Sequence, residues 1–192
     1  MLASSRSGVV RDDRGAAFAK LVGGLTTYQL RSHCLFYDGF KRLFNGIYGP
    51  DAIFINMHRH QMFVPDSDYS ESLSIEEGDV FHDIELHSYI GLVRNDLIAR
   101  ETLSGNVGLL KSQGYAADED GQVVGLTMAG IELYHWAHGL GEFAASHFLD
   151  PTVDFEFEAS IRKLTKIKPR YLPLPEPEGW PVSALPVANP LT

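Results

Sequence analysis

The stretch NVGLLKSQGYAADEDGQVVGLTMAGIELYHWAHG, Asn106 to Gly139, decides the fold class. Leu109 and Leu110 sit on a short apolar segment with helical spacing, which Gly114 can end by taking the left-handed conformation closed to most residues. Asp120-Gly121 has the positive-φ preference of a two-residue turn, so Tyr115 to Val124 reads as a hairpin. Leu126-Thr127 then leads into a second helix, with Thr127 as N-cap and Ile131, Leu133, Tyr134, Trp136 and Ala137 on its buried side. Nothing in the stretch is a catalytic signature.

Upstream, Phe18, Leu21, Val22, Leu25 and Tyr28, then Phe36, Phe40, Leu43, Phe44 and Ile47, recur near helical spacing, and Gly23-Gly24 and Gly39 are the candidate breaks. The apolar run AIFINMHRHQMFV reads as a short helix and Asp66 to Ser74 as a polar loop. Ser74 with Glu77 has capping-box spacing ahead of a helical region whose apolar face runs from Phe81 to Ile98. Downstream, the helix that begins at Thr127 is expected to reach His147, and Asp150-Pro151 to open one more, with Val153, Phe157, Ile161 and Leu164 on a stripe. Seven prolines from Pro169 to Pro190 exclude a regular helix or central strand there. The predicted organisation is a flexible arm over 1–15, one mainly α-helical domain over 16–168 with a small antiparallel β-hairpin, and a Pro-rich tail over 169–192.

At 192 residues and 44% hydrophobic, the chain can bury one sizeable core. No run is long enough to span a bilayer, and the first residues lack the continuous apolar stretch of a secretory signal, so a cytoplasmic protein without membrane contact is expected. The single cysteine, Cys34, lies within an apolar pattern and reads as a small core residue. The net charge of −9 is segregated: residues 1–42 sum to +4, 43–161 to −16 and 162–192 to +3. Affinity for nucleic acid comes mainly from cations meeting phosphates. The candidates are Arg94, Arg100, Lys111, Arg162, Lys163, Lys166, Lys168 and Arg170. The last five can equally neutralise a helix C-terminus or pair with the acidic middle of the chain.

The pattern of a Leu, three residues, Gly114-Tyr115, the Asp120-Gly121 turn, Val123-Val124, Leu126-Thr127 and Gly130 resembles the end of a winged-helix domain, spanning about 84–140. The resemblance implies that the helix at Leu109 is a recognition helix and the hairpin a wing. The same helix, turn, Leu-Thr and helix order is also similar to abortive-infection alpha-type phage-defence proteins.

Two histidine groups carry the metal possibility. His135, His138 and Glu142 fall on a narrow arc if one helix continues through them, and imidazole with carboxylate suits zinc, iron or manganese. The competing reading is a solvated stripe opposite the buried face. His82-Asp83, preceded by His58 and His60 and followed by Asp150, resembles the ordered ligands of HD-type phosphohydrolases, in which metal-activated water attacks phosphate. No phosphate loop and no Gly-x-Ser-x-Gly elbow is present. The expectation is a non-catalytic regulatory or interaction protein, defence- or transcription-associated, with a protein partner or self-association and no cofactor. A DNA-binding regulator and a divalent-metal phosphohydrolase are the alternatives.

Overall fold

A computed structural model describes residues 13–45, 60–75, 80–100, 103–153 and 164–171. Residues 1–12, His58, Arg162, Lys163, most of the helix expected after Pro151, the Arg170 side chain and the tail beyond 171 lie outside the described residues. The chain is mainly helical with a small four-stranded antiparallel sheet.

Helix α1 (Arg14–Gly24) ends at the predicted Gly pair, and α2 (Thr27–Phe44) begins at a capping box in which Thr26 and Gln29 satisfy each other's backbone amides. Gly39 does not interrupt α2. Seven consecutive residues, Leu35 to Lys41, are buried, so over this span α2 is enclosed on every side and acts as the axis of the core. Aromatic rings fill the space around it: Tyr37 stacks on Tyr134 at 5.8 Å and meets Phe148 edge-on at 5.7 Å.

The described part of the apolar run read as a helix is strand β1 (His60–Pro65), buried at all six positions. A strand buried on both faces loses the alternation that would distinguish it from a helix. The expected polar loop is helix α3 (Asp66–Leu73), which buries Asp68, Tyr69, Ser72 and Leu73. Ser74 is its left-handed C-cap rather than an N-cap. Helix α4 (Phe81–Arg94) follows, and Leu97 and Ile98 are buried beyond its end.

Strand β2 (Leu103–Gly105) leads to α5 (Val107–Ser112), capped by Asn106, and Gly114 closes that unit at φ 79° as expected. Strand β3 (Gly121–Gly125) is not half of a local hairpin, because its partners are β1 and β2, both antiparallel. Helix α6 (Met128–Ala137) has the predicted cap, with Thr127 Oγ1 accepting from Gly130 N at 3.1 Å. It is shorter than expected: Gly139 at φ 75° turns the chain toward a 3-10 turn at Ala145–Leu149. Strand β4 (Lys168–Tyr171) completes the sheet in the order β2-β3-β1-β4. The segment expected to start a tail therefore pairs, at an edge, where Pro169 is tolerated. The helix stripe expected to reach Leu164 ends differently too, since Leu164 is buried in non-helical chain.

Side-chain alternation divides the sheet into two faces. Phe63 and Val123 face a small cluster with Leu110 and Ala117 of the α5 segment. Met62, Val64 and Val124 face the main core with α2, α4 and α6. Cys34 is partly buried against that core.

Candidate functional site

The shortened α6 separates the first histidine group. His135 is 1% exposed, with Nδ1 3.4 Å from the Phe143 carbonyl oxygen. His138 is partly buried against the Tyr134 ring at 4.2 Å, with Nδ1 2.8 Å from the Tyr134 carbonyl oxygen. Glu142 lies exposed beyond the turn at Gly139. They form neither a shared helical arc nor a solvated stripe. In the second group His60 is buried at the first position of β1, against Phe44 at 4.8 Å, while His82 and Asp83 are exposed on α4. His82 acts electrostatically on Asp66, just past the far end of β1, roughly 20 Å along the strand from His60. Among the described residues no three His, Cys, Asp or Glu side chains are gathered as a metal ion requires.

The described cations divide by partner. Lys166 Nζ lies 3.1 Å from Glu119 and 3.0 Å from Ser67 Oγ, and Lys168 Nζ lies 2.5 Å from Asp118. Those hydrogen bonds hold Lys166 above its ordinary pKa and Asp118 below its own. Of the readings of the basic cluster, pairing with the acidic middle describes these two lysines. Arg94, Arg100 and Lys111 are exposed on separate segments.

A second polar group lies inside the core. The Tyr134 hydroxyl donates to Asp38, and His33 Nε2 is 3.0 Å from the Gly130 carbonyl oxygen. Burial keeps His33 and His135 neutral, lowering each pKa to about 4. Because the unfolded chain binds these protons near pH 6.5 and the native chain does not, stability is full above about 6.5 and is lost as pH falls toward 4. The fully enclosed His33 alone accounts for about 3 kcal/mol of that loss. Asp66 works in the opposite sense. Burial, then the neighbouring Glu85, raises it to about 7, so its contribution declines as pH rises from about 4 to 7. Thermal melts across pH 4–8 should rise to a maximum near neutrality, and Asp66→Asn should melt higher than the parent at pH 8, with the gap closing as the pH falls toward 4.

That Asp66 belongs to a site which local sequence patterns did not reveal. The ladder pairs Val64 with Gln122 and Ser104 with Gln122, and Asp66 N continues it by donating to the Asp120 carbonyl oxygen at 3.0 Å. Residues 64, 104 and 122 therefore share one face of the sheet, with paired Cβ atoms about 5 Å apart; Asp66 follows β1 directly, and the Asp120 carboxylate accepts from Val107 N at 2.8 Å at the start of α5. Along this face the lining changes from Met62, Val64 and Val124 to Gln122 and Ser104, with Asp66 just past the end of β1. From α4, Glu85 reaches down at 3% exposure, its Oε1 accepting from Ser104 Oγ at 2.8 Å and its Oε2 lying 3.2 Å from His82 Nδ1. Gln122 is 1% exposed, and neither amide atom has a hydrogen-bond partner among the described residues. The only local signal was a glutamine on an otherwise apolar strand face, and it needs the register to be read.

No protein-family model matches the chain, and neither does any curated protein or solved structure. Among the described residues no helix is long and apolar enough to cross a membrane.

Proposed function

We propose that this chain is a non-catalytic interaction protein that binds another protein through the outer face of α4, with the winged-helix-like pattern of Asn106 to Gly139 placing it in a defence- or transcription-associated setting. The observation carrying this reading is the row His82, Leu86, Ile90 at successive helical turns. Leu86 is 55% and Ile90 36% exposed, with Val80 at the helix start 64% exposed. Side chains four residues apart adjoin on a helix surface, so Leu86 and Ile90 form an exposed apolar pair, continued by His82, on a helix whose opposite side packs on the core. Leu109 on α5 is also exposed.

The competing reading, a DNA-binding regulator, rests on Arg94, Arg100 and Lys111. Against it, Lys166 and Lys168 already face Glu119 and Asp118, and α5 is two turns long with one cation. Fluorescence anisotropy with a generic labelled duplex across a salt series separates the readings. The expected result is no binding at low salt. Binding that weakens steeply with salt would reverse the order of the two, since such a slope counts neutralised phosphates.

A further inference from the structure

The geometry points to a binding site for one guanidinium or ammonium group, a basic side chain of a protein partner, at the polar end of the sheet face beneath the start of α4. This rests on the protein-binding reading and gives the partner a charge.

The first support is Gln122. A fully buried amide without partners is costly and uncommon, and this one sits directly across the ladder from Ser104, whose hydroxyl is committed to Glu85. The amide oxygen is an acceptor waiting for a donor, beside a buried carboxylate. The second support is Asp66, whose Oδ1 is likewise buried without a partner among the described residues. Asp120 and Glu119 act on it from the loop entering β3, Glu85 and His82 from α4. No Lys or Arg pairs with Asp66, Glu85 or Asp120 among the described residues, whereas Glu119 and Asp118 each have a lysine.

Access is by way of His82. Its side chain is 85% exposed, with Nδ1 3.2 Å from Glu85 Oε2. An incoming cation can displace that ring and meet Glu85, Gln122 and Asp66 in turn. A planar guanidinium fork suits carboxylate and amide oxygens together, and its weak hydration lowers the cost of entry. A metal ion fits poorly, because among the described residues no three ligands converge. The source is a protein side chain because the site opens at one end of the Leu86–Ile90 stripe. A basic side chain lays its alkyl stem on apolar surface while the charged head reaches further, and the stripe gives flanking residues a surface to cover.

The test is titration of the full chain with Nα-acetyl-arginine amide, followed by NMR and calorimetry, with the neutral isostere Nα-acetyl-citrulline amide as comparison. The arginine compound should bind at about millimolar concentration, as a single anchor does, and shift Ser104, Gln122 and His82 resonances, while the citrulline compound leaves them unmoved. Glu85→Gln, which keeps an acceptor for Ser104, should weaken binding about tenfold or more, and Gln122→Met should weaken it while Lys111→Ala does not. Equal response to the two compounds, or binding unchanged in Glu85→Gln, overturns the site. If the variants fail to fold, the citrulline comparison on the unaltered protein still decides. Spermidine binding the same residues more tightly than the arginine compound overturns the partner assignment in favour of a free polyamine. Partner binding that depends on Leu86 and Ile90 but not on Glu85 removes this site and leaves the interaction reading, whereas salt-dependent duplex binding removes the reading and not the site.

Discussion

Gly130→Ala is expected to cost about 3 kcal/mol or more, lowering the melting temperature by roughly 6–12 °C for a chain of this size. A Cβ at Gly130 would stand 1.9 Å from the Tyr37 hydroxyl and 2.4 Å from the Leu97 carbonyl oxygen. The second contact is with backbone, so no rotamer change relieves it. Moving Tyr37 is costly as well, because its hydroxyl donates to Leu97 O at 2.8 Å and accepts from Thr127 N at 3.1 Å. One methyl group thus sets the first turn of α6 against both α2 and the chain after α4. Gly24→Ala is the matched control. A Cβ there meets nothing within 4 Å, and the change should be neutral or stabilise by up to about 1 kcal/mol. Melting curves for the pair measure the effect of close approach apart from glycine's own entropy; equal loss in both would refute the argument.

Asp68→Ala should have a comparable effect with a different signature. The Asp68 carboxylate is 2% exposed, and its Oδ2 accepts from the amides of Thr165 at 2.7 Å and Lys166 at 2.6 Å. Hydrogen bonds to a charged group are worth about 1.5–3 kcal/mol each, so losing two costs roughly 3–5 kcal/mol. The damage should concentrate on residues 164–171. Amide exchange there and along the β1 edge that β4 covers should accelerate far more than in α2, and Asp68→Asn should show a smaller loss. Uniform acceleration across the molecule would mean that Asp68 supports the core in general rather than anchoring this segment.

What was readable in the sequence was local. Thr127 as a cap, Gly114 as a terminator and Gly23-Gly24 as a helix boundary each act within one turn of chain, and each appears where its chemistry predicts. What escaped depended on distant partners. Strand β1 is buried on both faces because the α5 segment packs on one side of the sheet and the main core on the other, and no alternation survives to mark it. Helix α3 is assembled from Asp, Ser and Glu around Tyr69 and Leu73, a pattern indistinguishable from a loop until α2 and β1 are in place. The candidate site follows the same rule. The histidines drew attention because metal chemistry has recognisable spacing, yet α6 ends too early for it. Glu85, Ser104, Gln122 and Asp66 are brought together by strand register and one helix crossing, which no spacing in a single segment encodes.

The Asp68 anchor has a consequence for the order in which the molecule is made. Its two amide partners lie 97 and 98 residues downstream, so during synthesis this carboxylate and the open edge of β1 must wait for that whole intervening stretch to emerge. Contacts so distant in sequence form slowly, and an uncovered strand edge is a template for pairing with other chains. A product that stops before Thr165 would lack both amides and all of β4, leaving a carboxylate unsatisfied and a strand open. The segment 164–171 therefore makes its own synthesis a condition of stability: fragments that stop short of it remain prone to unfolding and aggregation, and the sheet closes only once β4 has been made.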